Sequence, residues 1–175
     1  YASGEIKVDV NVLSGGAIKL LPRFGVMLEM PKEYENVKYS GLGPDVNLPD
    51  YKEHTFNGIF ETTVDNLKED YIKPQESATR CDTRFAEITD SDGFGLRFNA
   101  INNPFIFSAS HYTSNQWAKA MHREELVDMP TTCINLDAAV LGAGSNACGP
   151  LPNKNDRVGS LNGKKLSFTI QPIGD

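Results

Sequence analysis

Several patterns that mark particular classes of protein are missing from this sequence. No cluster of Lys and Arg stands out among its 17 basic and 23 acidic residues, so we expect neither nucleic acid nor an anionic membrane surface as a partner. No apolar run approaches the ~20 residues that span a bilayer. Residues Tyr1 to Gly4 have neither the charge nor the apolar stretch of a signal peptide. The compartment in which the protein works is left open.

Metal and cofactor chemistry also lacks its usual sequence patterns. The sequence has no C-x-x-C pair, so it does not predict a structural zinc site. Its three cysteines are odd in number and widely spaced, which argues against a disulfide framework: Cys81, Cys133 and Cys148. The histidines do not have the H-x-x-x-H or H-E-x-x-H spacing of metal ligands: His54, His111 and His122. Two short glycine pairs, at residues 41–43 and 142–144, do not complete the G-x-G-x-x-G dinucleotide pattern. We therefore predict no metal site and no cofactor in this chain.

What is present indicates β-strands and turns. Apolar and polar residues alternate from Ile6 to Val12 and from Leu166 to Gln171, which is the period of a half-buried strand. Further β-like runs are bounded by Gly, Pro, Asn and Asp, which favour turns. The strands are predicted at residues 5–13, 24–30, 36–40, 56–64, 84–89, 93–99, 105–110, 131–136 and 164–172. Residues 41–50 are predicted to be irregular, because Pro44 and Pro49 each remove a backbone donor.

The pattern contains one clear helix, predicted at Thr113–Met121, with Thr113 or Ser114 as N-cap. Leu67 to Tyr71 forms either one helical turn or an irregular link. No repeat, linker or βαβ rhythm divides the chain. We therefore predict one all-β domain over residues 1–175, an antiparallel β-sandwich with one short helix.

Candidate chemistry lies in three loops, because loops carry function on β scaffolds. Residues 41–50, 71–84 and 141–153 mix Gly or Pro with the amides and carboxylates that sugar hydroxyls bind. The spacing of Asp and Glu along the sequence does not identify a pair of catalytic carboxylates. His111, at the end of a β-run, has either a structural role in a hydrogen bond or a contact with a sugar. His122 is predicted to complement the dipole at the end of the helix.

Five segments, in order and at matching spacing over roughly residues 20–172, resemble motifs of the small-chain domain of family 2 β-galactosidases. They are residues 41–50 (G-x-G-P-x-E-N-Y-x-D in the family), 71–84 (Y-x-x-P-Q-E-N-G-x-R-x-D-x-R), 107–113 (F-S-A-x-H-Y-T), 122–126 (H-x-x-E-L) and 135–150 (L-D-x-x-x-x-G-x-G-x-x-x-W/C-G-P). The resemblance implies a galactose-mutarotase-like supersandwich, of which this chain resembles the C-terminal two-thirds.

The sequence departs from the family pattern at several of these positions. Ser77 and Ala78 replace Asn-Gly, which questions a tight turn there. Val46 and Leu48 flank Asn47 where the family has Glu-Asn-Tyr, so one carboxylate is missing. Cys148 stands where some relatives have a tryptophan that stacks on the leaving sugar, and where others have Cys.

The resemblance implies that the chain is a piece of a retaining β-galactosidase whose catalytic glutamates belong to a (β/α)₈ barrel. The isolated chain is then expected to be inactive. It would pack against the barrel and against other domains or subunits of the parent, and any Mg or Na ions would be bound by that parent. Its loop 141–150 would touch the aglycone of a galactoside, through Gly142, Asn146 and Cys148.

Two alternatives remain open at the level of the sequence. A free carbohydrate-binding module would bind galactosides without help from other domains. An aldose-epimerase-like enzyme would need a His/Glu pair above a sugar, with His111 as its only starting point.

Overall fold

Ten β-strands dominate the part of the chain that the structure describes. The computed structural model of the protein describes residues 4–13, 20–144, 152–158 and 161–174. Its strands are β1 (Ile6–Asn11), β2 (Arg23–Pro31), β3 (Asn36–Gly43), β4 (Phe56–Thr63), β5 (Arg80–Thr83), β6 (Phe85–Thr89), β7 (Gly95–Ala100), β8 (Phe105–Ser110), β9 (Thr131–Val140) and β10 (Lys165–Ile173). All of their pairings are antiparallel, which confirms the predicted all-β class.

The strands form two sheets that share one apolar core. The larger sheet has the order β1-β10-β7-β6-β3-β4, and the smaller has the order β2-β9-β8-β5. Alternate strand residues from both sheets point into the space between them. Tyr39 of β3 meets Phe107 of β8 across this space, with ring centroids 6.2 Å apart. The fully buried apolar residues include Ile88, Phe98, Phe168, Phe107, Ile134 and Leu136. The extent of the single domain, residues 1–175, stays a prediction.

Strand β8 has its predicted bounds and most other strands lie within two residues of theirs, while β3, β5 and β9 differ more from the prediction. β3 continues past Ser40 to Gly43, because Pro44 interrupts the ladder only after Gly43 has paired with Phe56. β9 continues past Leu136 to Val140, which pairs with Arg23 at the start of β2. β5 was not predicted, because its short run lies inside a loop motif and it pairs irregularly with β8.

The prediction of a single helix is wrong, since the described residues contain two short α-helices. The expected one is α2 (Ser114–Lys119), whose N-cap Thr113 accepts a hydrogen bond from the Gln116 backbone N at 3.2 Å. The other, α1 (Val64–Leu67), begins where strand β4 was predicted to end. Its N-cap Thr63 stops the strand and accepts from the Asn66 backbone N at 3.4 Å. The helical turn considered at Leu67 to Tyr71 therefore lies earlier in the chain.

Candidate functional site

The four-stranded sheet carries a polar outer face. Ser108 lies between the core residues Phe107 and Ala109, and Asp137 follows the core residue Leu136, so strand alternation turns both away from the core. Asp137 is only 2% exposed. Its Oδ2 accepts hydrogen bonds from Arg23, at 3.0 Å from Nε and 2.7 Å from Nη2. The same Nη2 donates to Oγ of Ser108 at 3.2 Å.

Burial dominates the electrostatics of this ion pair. Burial raises the pKa of Asp137 to about 6, with a smaller contribution in the same direction from the Glu76 carboxylate. The Arg23 guanidinium acts in the opposite direction but does not compensate. Asp137 is therefore a partly protonated carboxyl near pH 6, held beneath a surface groove.

The groove, of about 380 Å³, is bordered by residues from four of the five family-like motifs or directly beside them. Most of its walls are apolar: Pro22, Leu48, Trp117, Ala118, Val140 and Leu141. Its polar groups are Arg23, Gln75, Glu76 and Ser114. We call residues 46–50, 75–80, 113–118 and 140–144 the motif face. Segments far apart in the sequence thus converge on one surface.

Asn47 joins two loops of the motif face from inside. It is fully buried, and its Nδ2 donates to the backbone oxygens of Leu42 at 3.1 Å and Asp45 at 2.9 Å. Its Oδ1 accepts from the Cys81 backbone N at 2.6 Å. Its own backbone N donates to the Thr79 oxygen at 3.1 Å. One side chain thereby bonds three backbone groups, two of them in fully buried contacts.

The segment after Gln75 is compact despite its lack of the family glycine. The Glu76 carboxylate accepts from the Ala78 backbone N at 2.8 Å and from the Thr79 hydroxyl. Ser77 accepts from the Glu69 backbone N at 2.8 Å. Neither Ser77 nor Ala78 is among the described residues that have positive φ, so this turn does not require glycine. The doubt raised by the Ser77-Ala78 departure is thereby resolved.

Arg80 connects the same segment to the larger sheet. It is 3% exposed, and its guanidinium donates to the Tyr39 hydroxyl at 3.1 Å and to the backbone oxygens of Thr79 at 3.0 Å and Leu67 at 3.2 Å. Burial raises the pKa of Tyr39, and the nearby Arg80 charge opposes this rise. The side chain therefore ties β5 to β3 and to α1.

Gly142 is the one predicted rim residue that lies within the described residues. It is buried, and its backbone N donates to the Asp156 oxygen at 3.0 Å. The carboxylate of Asp50 contacts the next residues, Ala143 and Gly144. Asn146 and Cys148, the other two predicted rim residues, lie outside the described residues. Their contact with an aglycone stays a prediction.

The structure places His111 in the interior, at 1% exposure. Its Nδ1 lies 3.4 Å from the Thr132 hydroxyl, and its backbone oxygen accepts from the Met129 N at 2.9 Å. This burial favours the structural role that the sequence left open, and the sugar contact stays an untested prediction. His122 lies beyond α2, which ends at Lys119, and pairs instead with Glu125 at 3.0 Å.

Sequence reasoning did not single out Arg23, Asp50 or Asp137 as residues of a site. Asp137 gave one usable signal, because a carboxylate inside a strand that is otherwise rich in apolar residues needs a partner. Its partner Arg23 lies 114 residues away in the sequence, and nothing in the local pattern indicates that pairing.

The described ranges contain neither a metal-binding cluster nor a helix that could span a membrane. No group of three or more His, Cys, Asp or Glu side chains there could hold a metal ion. None of the helices in those ranges is long and apolar enough to cross a bilayer. The Mg or Na ions expected of a parent enzyme stay a prediction about that parent.

Comparison with known proteins identifies the family. The protein-family model described as the β-galactosidase small chain matches residues 1–171. The chain is 37% identical to a β-galactosidase of Staphylococcus xylosus over 96% of its length, and 30% identical to one of Streptococcus thermophilus over 97%. It spans only 16% and 17% of those relatives' own lengths. A relative from Lactobacillus delbrueckii subsp. bulgaricus is 31% identical over 97% of the chain. The chain belongs to the β-galactosidase small-chain family.

Proposed function

We propose that the chain is a non-catalytic domain of a β-galactosidase that hydrolyses terminal β-D-galactosides. In that enzyme it supports the architecture and supplies the aglycone side of the active site. The observation that carries the proposal is the convergence of the family-like motifs on one groove, with Val140 and Leu141 at its border. A surface built from so many distant segments is the natural place for contact with the rest of the enzyme.

The carboxylates in and beside the motif face support a role without catalysis. A retaining glycosidase needs two carboxyl groups about 5 Å apart on either side of the scissile bond. Here Asp137 is paired with Arg23 beneath the groove, and Glu76 is bonded within its own turn. Asp50 accepts from backbone N–H groups. Each of these carboxylates is already engaged in holding the chain together.

The apolar groove suits contact with protein. Trp117 is 8% exposed and lies edge-on to Tyr112, with ring centroids 5.1 Å apart, so it presents no open face for stacking on a sugar. The relatives are about six times as long as the chain, which leaves ample polypeptide to cover the groove. A free carbohydrate-binding module is therefore the weaker candidate. It predicts heat of binding when galactose or lactose is titrated into the isolated chain.

The rim role is tested by Cys148→Trp in the full-length enzyme. A restored ring would stack on the acceptor sugar and tighten its binding by about 1 kcal/mol, roughly fivefold. The measurement is the concentration of glucose that gives half-maximal galactosyl transfer to glucose. Ile59→Trp is the matched control, because it adds a ring at an exposed position on β4. Equal acceptor kinetics in both variants and the parent would contradict the proposal.

A further inference from the structure

The start of the predicted rim segment, residues 141–150, is held by the carboxylate of Asp50, which belongs to another motif. Oδ1 of Asp50 accepts from the Ala143 backbone N at 2.7 Å, and Oδ2 accepts from the Gly144 backbone N at 2.9 Å. Two successive N–H groups that converge on one carboxylate form a small anion-binding nest. Such charge-assisted bonds are stronger than neutral ones.

Gly142 and Gly144 fit this arrangement. A Cβ on Gly142 would lie 2.4 Å from Cγ of Asp50 and 2.5 Å from both carboxylate oxygens, so any larger residue would displace the carboxylate. Gly144 has a φ of +80°, which L side chains rarely adopt. Glycine at position 142 therefore leaves room for the Asp50 carboxylate, and glycine at position 144 permits the positive φ of the backbone there.

Asp50 is itself rigidly presented. It lies in a tight turn in which the backbone N and O of Leu48 and Tyr51 bond to each other at 3.0 and 2.9 Å. The buried anchor Asn47 immediately precedes this turn. On the other side, the Leu141 backbone N donates to the Pro22 oxygen at 2.8 Å. Both partners of the contact are thus fixed to the body of the domain.

We propose that Asp50 is a positioning residue of the enzyme, which fixes residues 142–144 at the start of the predicted aglycone rim. This inference rests on the proposed function of the rim. Asp50 acts through the backbone and touches neither galactose nor the reacting atoms. Its loss should weaken acceptor binding and leave the chemistry on galactose unchanged.

The contact itself is tested by hydrogen exchange in the full-length enzyme. Asp50→Ala should make the peptide that covers residues 141–150 exchange about tenfold faster, because local opening no longer breaks two hydrogen bonds. Asp50→Asn keeps one acceptor oxygen and should lie between Asp50→Ala and the parent. Glu53→Ala is the matched control, since it removes an exposed carboxylate from the same loop. Unchanged exchange in Asp50→Ala would overturn the proposal.

The consequence for function is read from kinetics of the same variants. We expect the half-saturating glucose concentration for galactosyl transfer to rise several-fold in Asp50→Ala, while kcat for nitrophenyl galactoside stays within about twofold. Gly142→Ala should likewise raise the half-saturating glucose concentration, because its methyl group would displace the Asp50 carboxylate. A parallel fall in kcat would overturn the positioning role. Faster exchange with unchanged acceptor kinetics would keep the contact but contradict both the rim function and the role of Asp50 in it.

Discussion

In the six-stranded sheet the strands pair in unbroken register, whereas the motif face borders the two places where register shifts. Those shifts occur between Phe24 and Gly25 in β2 and between Arg80 and Thr83 in β5. The sheet is held by apolar residues that fill the core. The motif face is held by polar side chains buried against backbone groups. The sheet should therefore respond to changes of volume, and the motif face to the loss of particular atoms.

The largest expected effect comes from Asn47→Leu, which keeps the branching of the side chain and removes its polarity. Three backbone groups would lose their partner, two of them in the interior, so we expect a loss of about 4 kcal/mol in the free energy of unfolding. Urea unfolding of the chain, followed by circular dichroism, measures it. The control Asn36→Leu removes one exposed hydrogen bond to the Asp90 oxygen and should cost less than about 1 kcal/mol. Equal losses of unfolding free energy in the two variants would contradict the special role of the buried Asn47.

The next effect is a pH dependence caused by Asp137. Its pKa is raised from 3.8 to about 6 in the folded chain, so the folded state binds more protons than the unfolded state between those values. Its contribution to the free energy of unfolding therefore falls as pH rises from 4 to 6, by up to about 3 kcal/mol. Asp137→Asn should remove this part of the slope. The measurement is the free energy of unfolding of the parent and of Asp137→Asn across that pH interval. Equal slopes against pH in the two proteins would contradict the raised pKa of Asp137.

The smallest effect is expected in the core of the larger sheet. Ile88 of β6 is fully buried among apolar neighbours, so Ile88→Leu conserves volume and leaves no polar group unpaired. We expect a loss of about 1 kcal/mol. The same urea titration measures it. A loss as large as that of Asn47→Leu would mean that the sheet is no more tolerant than the motif face.

The same contrast explains what could be read from the sequence. The alternation in β1 and β10 is local, so the pattern predicted both strands to within a few residues. β5 could not be predicted in this way, because its pairing with β8 is irregular and its buried residues include the charged Arg80.

The resemblance to the family motifs indicated which segments of the motif face matter. The contacts that join those segments could not be predicted from the sequence. Loop residues that mix Gly with Asn and Asp indicate turns and say nothing about which loops meet. Asp50 and Ala143 are 93 residues apart, and only the packed sheets bring them together. Gly142 was predicted as a rim residue, but the reason for glycine there is the carboxylate of Asp50.

The central claim, that the loop of residues 141–150 meets the aglycone, is tested most directly by hydrogen exchange in the full-length enzyme with and without saturating glucose. The account predicts slower exchange in the peptide that covers residues 140–150 when glucose is bound, and no change in β4 or β6. Protection confined to other regions, or no protection of residues 140–150, would contradict it.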